Sequence, residues 1–255
     1  MWDLYDSLID LVPRSATVKD CLVGYNWTLV RSLSTGVALT PPKNGRRRDG
    51  GAIQGMRARD LALGIKSWNS LEATLGLAAV NSVVNSPVKI ERLSGKPVAR
   101  HRRLSAFTRF RDEVSGKRVA VVGHFPDLEQ LRSICELSIL ERYPHHGDYP
   151  DPACEYILAQ QEYVFMTATT IINKTLPRLL ELSKNAVRVL VGPSTPLTPV
   201  LFDFGIDVLA GLAVIDETPL WRTVQEGGSL EIFDQGGHMV EIKKKNAKGG
   251  ADAAA

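Results

Sequence analysis

Histidines, carboxylates and a cysteine are concentrated between residues 124 and 154, mostly in the segment RYPHHGDYPDPAC. The candidates are His124, Glu141, His145, His146, Asp148, Asp151 and Cys154. These side chains offer nitrogen, oxygen and sulfur ligands of the kind that divalent transition metals bind. None of them has the spacing of a known zinc motif, so a metal site here depends on the fold bringing them together.

His124 is the residue on which the chemical predictions depend most. It follows the apolar run VAVVG, and a histidine at such a turn can face a ligand crevice as a metal ligand or a catalytic acid or base. If a metal binds there, we expect imidazole among its ligands and weaker binding once the ring is protonated. A lone histidine is more often structural, and the sequence leaves these roles open.

A second set of candidates consists of small and polar residues that follow predicted strands. The carboxyl ends of parallel strands meet at one edge of a sheet, where doubly wound folds bind ligands, so these residues predict a single polar rim. The set is Gly123, Phe125, Pro126, Glu141, Thr167, Thr169, Thr170, Asn173, Gly192, Pro193, Ser194 and Thr195.

The hydroxyl residues of this rim have an alternative interpretation as helix caps. Thr169 or Thr170 would cap a helix predicted to begin at Ile171, and Ser194 or Thr195 would cap the next helix. Capping and ligand binding do not exclude each other.

The elements that must position these residues alternate between strand and helix from Lys117 onwards. The predicted strands are 119–122, 137–140, 163–166, 187–191, 208–212 and 238–242. The predicted helices are 107–114, 127–135, 153–160, 171–182, 199–204 and 219–225. Short apolar strands that alternate with helices are typical of an α/β fold with a Rossmann-like, doubly wound parallel sheet.

The first part of the chain has a different pattern and predicts a smaller α+β domain. A helix up to Pro13 is followed by strands at 18–25 and 27–32, with a turn at Tyr25 and Asn26 and a third strand near 37–39. A short helix at 61–65 and an amphipathic helix at 68–83 come next. Gly76 within the longer helix indicates close packing against another backbone.

The segment SPVKIERLSGKPVARHRRLS is polar and basic and lacks clean periodicity, so we place the domain boundary there. The predicted units are an α+β domain at 1–95, a Rossmann-like domain at 96–245 and a disordered tail at 246–255.

Composition and terminal sequence favour a cytoplasmic protein. The chain has an odd number of cysteines, no basic and apolar signal peptide, and no apolar run of membrane-spanning length. Basic clusters at 46–48 and 100–103 are typical of solvated loops, and the shortage of aromatic neighbours argues against a nucleic-acid groove. The sequence is also compatible with a homo-oligomer.

Two further functional classes remain open besides a small-ligand or metal-binding protein. Glu141 lies eighteen positions after Gly123, roughly where a Rossmann enzyme holds a ribose, which would suit an enzyme dependent on NAD or S-adenosylmethionine. The sequence GHFP departs from G-x-G-x-x-G, however. The third class is a partner-binding scaffold whose crevice is blocked by its own side chains. The sequence does not decide whether the protein is an enzyme.

Several segments together resemble one family. They are VVGHFP, TATTIINKTLPRLL, VGPSTPLTPVLFDFGIDVLAG, GYNWTLV and GLAAVNS, spread over nearly the whole chain. The family comprises uncharacterised bacterial and archaeal proteins described as putative heavy-metal chelation proteins. The T-x-T-T-x-x-N and G-P-S-T-P segments are the most specific parts of the resemblance.

The resemblance implies an enolase-N-terminal-like domain followed by a Rossmann-like domain, with the site between them. It places that site close to Gly123, His124, Thr170, Asn173 and the segment 192–195, and it implies a divalent transition metal as the cofactor or ligand.

Overall fold

The structure, a computed structural model, describes residues 2–42, 51–95, 97–98, 106–126 and 128–244. The predictions for the basic clusters at 46–48 and 100–103 and for the tail at 246–255 lie outside the described residues.

A three-stranded antiparallel sheet and its helices form what we call the N-terminal unit. Its elements are α1 (Asp3–Asp10), β1 (Asp20–Val23), β2 (Trp27–Arg31), β3 (Thr35–Leu39), α2 (Ala58–Ala62) and α3 (Ser70–Val84). The strands pair in the order β1-β2-β3, and residues 24–26 connect β1 to β2. The predicted antiparallel strands are therefore confirmed.

The helix α3 differs from its prediction because it is buried on every side rather than on one face. All its residues from 73 to 84 are buried, since β2, β3 and α2 pack around it. A Cβ added at Gly76 would lie 2.2 Å from the backbone nitrogen of Ile65. The close backbone approach predicted from this glycine is therefore confirmed.

The second sheet, which we call the main sheet, has seven strands. They are β4 (Arg118–Val122), β5 (Glu136–Glu141), β6 (Tyr149–Pro150), β7 (Tyr163–Thr167), β8 (Val187–Val191), β9 (Val208–Val214) and β10 (Gly237–Lys243). Their order is β10-β9-β8-β7-β4-β5-β6, and every neighbouring pair is parallel except β9 with β10. The α/β class with a mostly parallel sheet is confirmed, and the strand order reverses beside β4.

Helices cover the main sheet. They are α4 (Pro87–Ser94), α5 (Ala106–Val114), α6 (Glu129–Arg132), α7 (Cys154–Ile157), α8 (Thr169–Ile172), α9 (Leu176–Leu182), α10 (Val200–Asp203) and α11 (Glu217–Gln225). On one face Val119 and Val121 pack with Phe110 of α5. On the other, Ala120 and Val122 join the core that includes α1 and α3. The continuous apolar run of β4 is therefore buried on both faces.

Two predicted helices were wrong in extent. The helix predicted for 127–135 is only the short α6, and Asp127 lies outside the described residues. The helix predicted for 171–182 is divided into α8 and α9, because Lys174 adopts a left-handed backbone conformation (φ 66°) that no α-helix continues through.

Two other segments also differ from their predictions. The residues predicted to be irregular after Ser86 contain α4, which ends at Gly95 in the left-handed region (φ 69°). The helix predicted for 153–160 is the single turn α7 between two 3-10 turns, Asp151–Ala153 and Leu158–Gln160.

The two sheets share no strand among the described residues, whereas the division of the chain near residue 95 stays a prediction. Within those same residues, no helix is both long enough and apolar enough to span a bilayer.

Candidate functional site

Three of the seven candidate metal ligands lie together at the carboxyl end of the main sheet. We call His124, His145 and Asp148 the His124 cluster. His124 follows β4, whereas the other two lie in the loop between β5 and β6. One potential ligand atom from each residue lies within 4.8 Å of the others, and the two imidazole rings are 4.3 Å apart between centroids. The parallel pairing of β4 with β5 brings the two loops together.

The carboxylate of Asp148 is at the centre of this cluster. Its Oδ2 lies 2.9 Å from His124 Nδ1 and accepts a hydrogen bond from the backbone N–H of His145 at 3.0 Å. The Asp148 side chain is 0% exposed, against 31% for that of His124. Its other oxygen, Oδ1, is buried and has no hydrogen-bond partner among the residues that the structure describes. A buried carboxylate oxygen without a partner is costly and suits a position where a cation binds.

Glu141, at the end of β5, directs its carboxylate at the backbone of the same two loops. Its Oε2 accepts a hydrogen bond from the His124 N–H at 2.9 Å, and its Oε1 accepts from the N–H groups of Arg142 (2.7 Å) and Tyr143 (3.2 Å). Both oxygens of Glu141 are therefore already bonded to the protein backbone. A carboxylate that binds a ribose would instead face the ligand.

The three remaining metal candidates lie outside the His124 cluster. His146 is exposed, and Asp151 forms an ion pair with Arg142 at 3.1 Å. Cys154 is buried, and that burial, reinforced by the charge of Asp151, raises the pKa of its thiol to about 12. Because the thiolate is the form that binds metal, Cys154 is a poor ligand at neutral pH.

The crevice where the strand order reverses is bordered by two glycines and one aromatic ring. Gly123 and Gly192 both have positive φ, at 111° and 112°. A Cβ added at Gly123 would lie 3.0 Å from Thr167 and 3.4 Å from the ring of Phe125, and one at Gly192 would lie 3.9 Å from the same ring. Phe125 also packs edge-on against Phe107 at 5.1 Å. Its ring therefore lies across the ends of β4 and β8, and the neighbouring Pro126 is exposed.

The threonines and the asparagine after β7 bond to one another. Thr170 donates from its hydroxyl to the carbonyl of Thr167 at 2.6 Å, and Thr169 donates from its hydroxyl to Thr167 Oγ1 at 3.2 Å. Asn173 Oδ1 accepts from the N–H of Thr175 at 3.1 Å. Thr169 and Thr170 lie inside α8, which has no side-chain cap. The capping interpretation of these two residues was therefore wrong.

The segment after β8 contacts the N-terminal unit. Ser194 Oγ accepts a hydrogen bond from the N–H of Leu39 at 2.9 Å, and Pro193 precedes it at the half-buried start of the segment. The carbonyls of Ser194 and Thr195 each accept a hydrogen bond from a side-chain amide at 2.9 Å, the first from Asn81 of α3 and the second from Asn85, which directly follows that helix. The next helix, α10, begins at Val200 without a side-chain cap, so the capping interpretation was wrong here too.

The sequence predictions omitted Asn81 and Asn85. Asn85 also donates to the carbonyl of Leu212 at 3.1 Å and accepts from the N–H of Leu197 at 2.8 Å. Two amides one helical turn apart, in and just after the largely apolar second half of α3, were the available signal, because a buried amide requires partners. We call Asn81, Asn85, Ser194 and Thr195 the amide seam.

Two family models match the chain, and both carry the description "Putative heavy-metal chelation". One, DUF364, matches residues 105–243, which include the whole His124 cluster. The other, DUF4213, matches residues 5–84, which make up most of the N-terminal unit.

Individual proteins from archaea and bacteria are also similar. An uncharacterized protein from Methanocaldococcus jannaschii is 34% identical over 159 residues, a match that covers 59% of this chain and only 58% of that relative. A DUF364-family structure of unknown function from Desulfitobacterium hafniense DCB-2 has 39% identity and a TM-score of 0.86, covering 96% of this chain and 99% of its own. Another from Pyrococcus horikoshii has 23% identity and a TM-score of 0.75, covering 94% and 98%, and supports the fold alone.

Proposed function

Because the chain belongs to the family described as putative heavy-metal chelation, we propose that it binds a divalent transition-metal ion through His124, His145 and Asp148. One observation carries the proposal: Asp148 Oδ1 is buried beside two imidazole rings and has no hydrogen-bond partner within the described part of the chain. A bound cation would supply the missing partner and offset the cost of burying the carboxylate.

The donor set indicates which metals fit. Two imidazole nitrogens and one carboxylate oxygen suit zinc, cobalt, nickel or copper better than magnesium or calcium, which prefer oxygen ligands. Metal–ligand bonds of about 2.0–2.2 Å in a tetrahedral site place ligand atoms about 3.3–3.6 Å apart. The three atoms lie within 4.8 Å, so rotation of the exposed imidazoles must bring them somewhat closer. Three protein ligands leave one position open for water or for a small chelating molecule.

The proposed site lies at the carboxyl edge of the main sheet, on its β4–β5 side. The hydrogen bonds of the His124 cluster connect residues 124 to 148, whereas the N-terminal unit contacts the segment after β8. We therefore assign metal binding to the main sheet and not to the cleft beside the N-terminal unit.

The alternative, NAD or S-adenosylmethionine in the crevice, is less well supported. Both oxygens of Glu141 accept backbone hydrogen bonds, which removes the expected partner of the ribose. The ring of Phe125 lies over Gly123 and Gly192, where a cofactor would need to approach the backbone.

Calorimetric titration of zinc, cobalt and nickel into tag-free protein tests the proposal. We expect one ion per chain in the wild type. His124→Ala and Asp148→Asn should each weaken binding by about 100-fold or more, because loss of a ligand costs more than the roughly 10–100-fold lost with an outer partner. His146→Ala is the matched control, since His146 lies in the same loop but outside the cluster.

Two results would contradict this assignment. Undetectable binding in the wild type would exclude a metal site of useful affinity. Equal loss in the His146→Ala control and the His124→Ala variant would mean that exposed histidines bind the ion nonspecifically.

A further inference from the structure

Two separate loops carry the residues of the His124 cluster, so their relative position determines whether a site forms. His124 lies in the loop after β4, and His145 and Asp148 lie in the loop after β5. The carboxylate of Glu141 bonds to both: Oε2 to the N–H of His124, and Oε1 to the N–H groups of Arg142 and Tyr143.

A carboxylate suits this position because the three N–H groups lie just beyond the ends of their strands, where main-chain pairing stops. An ionised carboxylate accepts at both oxygens and makes stronger bonds than a neutral acceptor. Glutamine in the same shape would place an NH2 group against one set of these donors and would lose the bonds on that side.

The loop after β5 is also closed at its far end. Leu140 pairs with Tyr149 and Glu141 pairs with Pro150 when the chain returns as β6. The guanidinium of Arg142 contacts Asp151 through Nε at 3.2 Å and Nη2 at 3.1 Å. The loop between β5 and β6, which contains His145 and Asp148, is therefore held at both ends. Glu141 is the side chain that joins this loop to His124.

We propose that Glu141 is a positioning residue of the metal site: it does not contact the ion but sets the separation of His124 from His145 and Asp148. This inference rests on the proposed metal binding. It assigns Glu141 a role other than the ligand or ribose partner that its sequence position suggested.

Cobalt titration of Glu141→Gln tests the role, with Glu136→Gln at the exposed amino end of the same strand as the control. We expect cobalt to bind roughly 10–100-fold more weakly to Glu141→Gln, the usual loss for an outer partner. The visible absorption bands at saturating cobalt should keep the wild-type positions, because the ligands are unchanged. The midpoint of thermal unfolding should fall by no more than about 4 °C relative to Glu136→Gln, because the N–H groups released at these exposed positions can bond to water.

A second measurement separates failure of this inference from failure of the metal site. In metal-free protein, Glu141→Gln should accelerate amide hydrogen exchange at His124, Arg142 and Tyr143, whereas Glu136→Gln should not. Unchanged exchange, or wild-type cobalt affinity, would overturn the positioning role. Shifted absorption bands would make Glu141 a ligand instead. Absence of cobalt binding in the wild type would contradict the metal site, and the exchange data would still show whether Glu141 joins the loops.

Discussion

The same edge of the main sheet carries two polar regions that differ in solvent exposure and in the partners of their side chains. The amide seam, beside β8 and β9, is buried. Its asparagine amides, in and just after α3, bond to backbone carbonyls of the main sheet and of the segment after β8. The His124 cluster, at the ends of β4 and β5, has exposed imidazoles around one buried carboxylate oxygen that no described residue pairs. Polar residues at a strand end therefore do not by themselves indicate a ligand site.

The difference follows from what covers each region. The N-terminal unit packs on the segment after β8 and excludes solvent, so most polar groups there bond within the protein, although Asn81 Oδ1 and Thr195 Oγ1 have no partner among the described residues. The loops after β4 and β5 project to solvent, and water or an ion can complete their bonding. We expect changes in the seam to reduce stability, and changes in the cluster to reduce ligand binding with little loss of stability.

The largest expected effect is that of Asn85→Ala. The substitution leaves the buried carbonyls of Thr195 and Leu212 and the N–H of Leu197 without partners, at about 3–5 kcal/mol of unfolding free energy in total. Urea denaturation measures this loss, and His124→Ala, in an exposed turn, should lose less than about 1 kcal/mol. Equal losses in the two variants would remove the distinction between the regions.

Metal should stabilise the protein through the cluster alone. Zinc at about one hundred times its dissociation constant should add about 2.7 kcal/mol to the unfolding free energy, measured by thermal or urea denaturation. Asp148→Asn should lose this gain because it removes the charge of the buried carboxylate. Asn85→Ala should keep the gain, although it begins from lower stability. A gain that persists in Asp148→Asn would place the ion elsewhere.

The smallest effect concerns Lys174, which is 7% exposed between α8 and α9 and donates to the carbonyl of Ile172 at 2.7 Å. Burial lowers its pKa to about 8. Between that value and the unfolded value near 10.4, the unfolded chain binds more protons, so stability rises with pH in this window.

From pH 8 to pH 10 the wild type should therefore gain about 2 kcal/mol relative to Lys174→Met, in which this amine is absent. Urea denaturation of both proteins at the two pH values measures the difference, and other groups that titrate cancel between them. Parallel pH profiles would show that Lys174 is solvated like a surface lysine.

Much of the fold was predictable because the local pattern of apolar, polar and glycine residues follows which positions are buried. The apolar run before Gly123 predicted β4, and Gly76 predicted a close backbone approach that the structure confirms. Helix ends were less predictable. Lys174, a residue that ordinarily continues a helix, adopts a left-handed conformation here, and the helical pattern on both sides conceals the break.

The sequence by itself determined the α/β class and the positions of every strand of the main sheet except the two-residue β6, because these depend on short-range patterns of apolar and polar residues. It also marked His124 as a candidate ligand. Only the tertiary structure decided which candidate ligands lie together. It selected His145 and Asp148 over four other candidates, because parallel pairing of β4 with β5 and the bonds of Glu141 join residues distant in sequence. It also placed Ser194 and Thr195 under the N-terminal unit. Such partners are not encoded within any one segment, since they arise where separate segments pack together.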